Sequence, residues 1–282
     1  MKSLVLVFVL SLFMSLIPKL ALAQEGTTTI PDEILQYDIR RYNPEAQGVK
    51  DLVFELRMDN LTETLNKNLA LGKLVDVHFK VYWLAPAEWR IEVNGLPKGF
   101  DEVKSDLKTL ISGKLEFVIS KPFQTVVSDL SFEKINRNGK NYIRAFDPLY
   151  VKPFTEILLG FDSQGRMNEM VTVVPNSSSV ASYEYIVTPW SNSKFLVSKQ
   201  STKSSFGASE STISHNVDYA SVNGFGFPQK LTIKTNNKIT IPPRGKDKEK
   251  VFSQDTTSVL KFSKYEVNTG KAKRFIVDGS LK

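Results

Sequence analysis

The sequence predicts a mainly β (α+β) protein: a curved antiparallel sheet or open half-barrel of about 10 to 12 strands with covering helices. Most of the chain alternates apolar and polar residues with the period of two that is typical of half-buried strands. Turn signals such as Asn138-Gly139 and Asn223-Gly224 separate the alternating segments at regular intervals. Since a twisted sheet of so many strands cannot stay flat, we expect it to curl.

The N-terminal residues 1–23 have the three parts of a cleaved export signal. A basic start precedes an apolar run over residues 4–13, and Ala21-Leu22-Ala23 predicts cleavage before Gln24. A membrane anchor is the alternative, but the apolar run is shorter than the ~20 residues that a bilayer requires. The chain has no Cys, so it offers no site for lipid attachment and no disulfide. We expect residues 24–282 to form a single half-barrel domain that is exported to the periplasm, soluble and not lipidated.

The charge pattern excludes an obvious nucleic-acid binding surface. Without Lys2 and Lys19 the chain keeps 35 basic residues against 30 acidic ones, a net charge of +5 rather than +7. These charges are scattered and form no basic stripe for phosphates. Peripheral contact with anionic lipid headgroups remains open.

The first elements alternate between helix and strand. Asp32 and Glu33 open a short helix that ends before Pro44. Residues 52–58 and 75–83 alternate as strands, and a third strand runs from Trp89 to Val93 after the break at Pro86.

The following segment has helical spacing. Residues 101–112 carry apolar side chains three and four positions apart and precede Gly113, which predicts an amphipathic helix. Residues 115–130 are less regular. Alternation then continues to the C-terminal region, with polar loops expected at residues 201–205 and 236–255. The predicted strands are 132–135, 142–146, 156–161, 167–174, 183–188, 194–200, 211–219, 229–235 and 257–267.

Three segments resemble the lipoprotein-carrier superfamily that includes LolA and LolB. Residues 82–93 read YWLAPAEWRIEV, residues 158–171 read LLGFDSQGRMNEMV, and residues 219–233 read YASVNGFGFPQKLTI. The resemblance implies an open β half-barrel lidded by helices, with a concave apolar cavity that receives the acyl chains of a lipid or lipoprotein. It further implies envelope proteins that load or unload this cargo. The 236–255 segment has no counterpart in the family pattern.

The candidate ligand site is an apolar row on the first three strands. One interpretation is that these side chains line an acyl cavity under a movable lid, and the other is that they fill a closed core. Arg57 and Arg90 fall on the polar faces by parity. The candidate cavity-lining residues are Phe54, Leu56, Val77, Phe79, Val81, Trp83, Trp89 and Ile91, and the candidate lid residues are Leu107, Leu110 and Ile111.

Enzyme motifs are absent from the sequence. It has no Gly-x-Ser-x-Gly elbow, no His-Glu-x-x-His helix, no phosphate-binding glycine loop and no Cys nucleophile. Its two His residues, His78 and His215, lack the spacing of a metal site, and we expect His215 to be structural. We therefore expect a non-catalytic protein without metal or cofactor. The alternatives are an envelope structural or protein-interaction module with a filled core and, third, a secreted hydrolase that uses a carboxylate pair.

Overall fold

The computed structural model describes residues 27–68, 73–241 and 250–279, so the expected export signal lies outside the described residues. Twelve strands form one antiparallel sheet that does not close, which confirms the predicted fold class. Strands β4 to β12 follow one another in chain order, and β12 then pairs with β1, so that β3 and β4 are the two edges. The strands are β1 Asp51–Met58, β2 His78–Leu84, β3 Glu88–Asn94, β4 Ser131–Arg137, β5 Lys140–Phe146, β6 Glu156–Phe161, β7 Met167–Val174, β8 Ser177–Val187, β9 Phe195–Phe206, β10 Ser209–Val222, β11 Phe225–Ile241 and β12 Lys250–Val267.

Two helices, residues 32–40 and 101–112, cover one face of the sheet, which we call the inner face. The predicted helix at residues 101–112 is confirmed in full, and the first helix ends at Arg40. None of the described helices has the length and apolar composition that crossing a bilayer requires. The helices are α1 Asp32–Arg40, α2 Leu61–Asn68, α3 Asp101–Ser112, α4 Phe123–Val126 and α5 Lys271–Lys273, which continues as a π-helical turn, Arg274–Asp278.

The inner face carries two separate hydrophobic cores. In the first, α3 contributes Ile111 to a cluster that contains Phe54 of β1 and Leu231 of β11. In the second, α1 packs Ile34 against Phe132 of β4 and other residues of β5 to β7. The two helices therefore lie over opposite halves of the sheet, and neither of them covers the region of the inner face between the two cores.

The C-terminal helix α5 was not predicted, and it packs on the outer face. Val53 and Tyr82 point away from the inner face because they alternate with Phe54 and Trp83. Their partners there include Ala272 and the ring of Phe275, whose centroid is 4.0 Å from that of Tyr82.

Several strands are longer than predicted. Residues 201–205 belong to β9, and most of the 236–255 segment is strand, because β11 extends to Ile241 and β12 begins at Lys250. These extensions are rich in Ser, Thr, Asn and Lys on both faces, so they lack the apolar alternation that marks a half-buried strand. In contrast, β2 begins later than predicted, at His78. Val75 is exposed, and Asp76 has a positive φ of 56°.

Candidate ligand cavity

A cavity of about 580 Å³ lies between the inner face of the sheet and the connection from α3 to α4. Residues 112–123 form its roof, and we call this segment the cover. The end of α1 and the following residues form one side, and strands β2, β3 and β7 to β11 form the floor. The floor and the cover include Trp83, Trp89, Leu115, Phe117, Val118, Ile119, Met170, Tyr183, Leu196, Tyr219 and Gly226.

Two of the eight predicted lining residues lie in this wall. Trp83 and Trp89 are cross-strand partners of β2 and β3, with ring centroids 6.1 Å apart. Trp83 is fully buried, and its indole Nε1 has no hydrogen-bond partner. The two indole rings therefore contribute mainly apolar surface to the cavity.

The other predicted lining residues lie away from the cavity. Within the first core, the side chains of Phe54, Leu56, Val77, Phe79 and Val81 are buried, and that of Ile91 packs against them. These six side chains share one cluster with Leu107 and Ile111 of α3, and none of them borders the cavity.

The three candidate lid residues do not form one surface. Leu107 and Ile111 are buried in the first core, whereas Leu110 is 51% exposed. Helix α3 therefore packs as an ordinary amphipathic helix, and the segment that closes the cavity is the cover that follows it. Leu115, Val118 and Ile119 are spaced three and four apart, a helical signal that could have marked this segment in the sequence.

The C-terminal end of the cover is fixed to α1. The carboxylate of Asp38 accepts hydrogen bonds from the backbone N–H groups of Phe123, at 2.7 Å, and Gln124, at 2.8 Å. Arg41 donates through Nη2 to the carbonyl oxygen of Lys121 at 2.9 Å. Because hydrogen bonds that involve a charged group contribute more than neutral ones, these contacts hold the cover firmly at this end.

The N-terminal end of the cover is fixed to the sheet by His215. Lys114 donates from Nζ to Nε2 of His215 at 3.2 Å, and the rings of Phe117 and His215 are 5.4 Å apart. Burial, together with the smaller effect of the nearby Lys114 ammonium, lowers the pKa of His215 to about 4. The histidine is therefore neutral near pH 7, which allows Nε2 to accept from Lys114.

Because the pKa of His215 is lower in the folded than in the unfolded protein, we expect the free energy of unfolding to decrease on acidification. The unfolded chain binds a proton at His215 near the ordinary pKa of 6.5 and the folded chain only near 4, so stability is complete above about pH 6.5 and is lost as the pH falls towards 4. We expect wild type to lose about 2 kcal/mol more than His215→Gln between about pH 7 and pH 4.5. Urea unfolding at both pH values measures this, and equal losses in the two proteins would contradict it.

Polar groups are gathered at one side of the cavity. The guanidinium of Arg41 lies 5.6 Å from the ring centroid of Tyr37. Glu116 keeps more than a third of its surface accessible, yet desolvation raises the pKa of its carboxyl against the attraction of Lys114 and Arg41. Burial also raises the pKa values of Tyr183 and Tyr219, so both phenols stay neutral. The cavity thus combines an apolar wall with one polar side, a pattern that suits an amphipathic molecule.

No metal site is found among the residues that the structure describes. Within residues 27–68, 73–241 and 250–279, no three His, Asp or Glu side chains lie close enough together to bind one ion. Of the two arginines on polar faces, Arg57 pairs with Asp76 and Arg90 is exposed, and neither lines the cavity.

Comparisons with known proteins give two distant structural similarities. No protein-family model matches this chain, and no curated protein matches it. A domain described as an outer membrane lipoprotein-sorting protein, from Vibrio parahaemolyticus, aligns over 84% of this chain and 92% of its own, with a TM-score of 0.31 and 10% identity. MucB, solved in complex with MucA(peri), aligns over 86% of this chain and 94% of its own, with a TM-score of 0.14 and 8% identity. The geometry of the cavity, rather than these low similarities, supports the function proposed below.

Proposed function

We propose that this chain is a periplasmic, non-catalytic carrier that shelters the acyl chains of a lipid or lipoprotein in the cavity under the cover. The observation that supports it is the cavity itself, whose volume of about 580 Å³ falls among those of small-molecule sites, ~300–1,000 Å³. Its wall is rich in aromatic and aliphatic side chains, as an acyl chain requires.

Burial of the chain supplies the binding energy. Each methylene transferred from water contributes about 0.8 kcal/mol, so eight of them contribute roughly 6 kcal/mol before the loss of ligand freedom is subtracted. Carriage therefore needs no strong polar contact. The polar side near Arg41 and Glu116 then accommodates the end of the ligand that remains hydrated.

Loading and release require the cover to move. Its two ends are held by polar contacts, from Asp38 and Arg41 at one end and from His215 at the other, so the part that moves lies between them. Between them, Val118 and Ile119 face the cavity and are buried. A ligand that replaces their contacts with the floor shifts the balance between closed and open positions of the cover.

A plug in the roof tests the proposal. Ser120 lines the cavity, so Ser120→Trp should fill part of it and weaken uptake of a fluorescent fatty acid at least tenfold. Ser128 is exposed and does not line the cavity, so Ser128→Trp is the matched control and should bind as wild type does. Binding is measured by titration on protein without residues 1–23 that has been purified without detergent, with native mass spectrometry and lipid extraction for retained cargo.

Two outcomes would contradict the proposed carrier function. If wild type carries no lipid and takes up no fatty acid, the chain is better explained as an envelope interaction module whose partners bind outside the cavity. If Ser120→Trp binds as tightly as wild type while both variants remain folded, the ligand occupies another place.

A further inference from the structure

Exposed apolar residues are concentrated at one end of the sheet. Neighbouring strands run in opposite directions, so the connections β1–β2, β5–β6, β7–β8, β9–β10 and β11–β12 all lie at the same end. At this end we define the apolar rim, which includes all three of the exposed aromatic side chains found in the described ranges. Its residues are Val75, Leu149, Tyr150, Val151, Phe206, Ile239, Ile241, Val251 and Phe252.

The β5–β6 loop presents its apolar residues on a fixed backbone. Leu149, Tyr150 and Val151 are 77%, 79% and 76% exposed. Beneath them the buried carboxylate of Asp147 accepts hydrogen bonds from the N–H groups of Leu149, Val151 and Lys152, at 2.9, 2.7 and 2.8 Å. The loop is thus held in shape by a polar anchor, and its three large side chains project outward without packing on the protein.

The strand extensions present a second apolar group. Phe206 pairs with Ser209, Ser209 with Ile239, and Ile239 with Phe252, so these side chains share one face. The register of β11 and β12 runs without a shift from Leu231 and Leu260 of the first core to Ile239 and Phe252, which makes this the inner face. The group therefore continues the face that forms the cavity floor, beyond the helices that cover it.

A lysine adjoins each apolar group of the rim. Lys152 follows Val151 and pairs with Asp129, Lys238 precedes Ile239 and lies 3.9 Å from Glu210, and Lys250 precedes Val251 and Phe252. Lysine stems extend along apolar surface while the ammonium stays in water, and an ammonium near an anionic membrane is attracted to its headgroups. Aromatic and aliphatic tips with adjoining lysines are typical of segments that enter the interface of a bilayer.

We propose that the apolar rim docks this protein on the surface of an anionic lipid bilayer. A protein partner of ordinary size needs a contiguous surface of ~800 Å². The rim is instead divided among separate turns, which a fluid bilayer can receive together. This inference goes beyond the proposed carriage, because docking depends on the rim and not on the cavity.

Vesicle flotation tests the docking. Protein without residues 1–23 is mixed with vesicles of phosphatidylethanolamine and phosphatidylglycerol, or of phosphatidylcholine alone. We expect wild type to float with the anionic vesicles, and flotation to fall at least tenfold in the triple variant Leu149→Ser, Phe206→Ser, Phe252→Ser and with the neutral vesicles. All three side chains are exposed, so the variant should fold and should still take up fluorescent fatty acid.

The matched control removes three apolar side chains that are exposed elsewhere and do not line the cavity, in Ile39→Ser, Val187→Ser, Val277→Ser. It should float as wild type does. Equal losses in control and rim variant, or no flotation of wild type, would overturn the docking. A third outcome would also overturn it: wild type sediments as a dimer, and the rim variant abolishes the dimer without changing flotation. The rim would then bind a second copy of this chain. Fatty-acid uptake measured alongside separates these outcomes from a failure of the carrier.

Discussion

Gly226→Ala should destabilise the protein more than an ordinary surface substitution, by about 3 kcal/mol in the free energy of unfolding. A β carbon at this position would lie 1.8 Å from Cζ3 and 2.2 Å from Cη2 of Trp190, far inside contact distance. The indole cannot simply withdraw, because its ring packs edge-on against Tyr42 with centroids 5.4 Å apart. The Tyr42 hydroxyl in turn accepts a hydrogen bond from the Gly226 N–H at 2.7 Å.

Two further variants separate this overlap from a general effect of replacing glycine. Gly113 has a φ of −68°, and a β carbon added there would meet nothing within 4 Å, so Gly113→Ala should leave stability unchanged or raise it slightly. Trp190→Leu removes the opposing ring, so Gly226→Ala should cost less in that background. Urea unfolding of wild type, the two single variants at Gly226 and Trp190 and their double variant gives the coupling energy, and strictly additive losses would contradict the overlap.

The alternation of apolar residues predicted the sheet well wherever one face is buried. The predicted bounds of two strands, 156–161 and 167–174, match those of β6 and β7, because one face of each strand packs in the second core. The extensions of β9, β11 and β12 were missed because Ser, Thr, Asn and Lys occupy many positions on both faces and the few apolar side chains there are exposed. Strand pairing there follows from continuing an established register rather than from burial, and a residue-by-residue pattern does not record it.

The candidate site was predicted only in part. The sequence singled out large aromatic residues on β2 and β3, and the structure places Trp83 and Trp89 in the cavity wall. It could not separate them from Phe79, which alternates on the same face and is buried in the first core but does not border the cavity. That distinction depends on where a helix ends and its connection crosses the sheet, which is decided by long-range contacts such as those of Asp38 with the N–H groups of Phe123 and Gln124.

The second large effect is expected at the edge of the sheet, where Arg144→Met should lower the free energy of unfolding by about 2 to 3 kcal/mol. Arg144 lies between two carboxylates: its Nε is 2.6 Å from Glu156, and its Nη1 contacts Glu133. Both carboxylate side chains are largely buried, with 14% and 10% of their surface exposed. Methionine keeps much of the volume but leaves the largely buried Glu133 carboxylate without its cationic partner and leaves Glu156 with the exposed Arg137 alone, which costs more than a surface ion pair contributes.

Arg137 provides the matched control, because it also contacts Glu156, at 3.0 Å, but its side chain is 53% exposed. Arg137→Met should cost less than about 1 kcal/mol, since water screens an exposed pair. If stranded charge is the cause, adding Glu133→Gln to Arg144→Met should recover part of the lost stability, although it removes a further ionic group. A further loss in the double variant, measured by urea unfolding, would instead mean that the arginine acts through its packing over the ring of Phe146, 4.7 Å away. The direction of that one change therefore distinguishes an electrostatic role for Arg144 from a steric one.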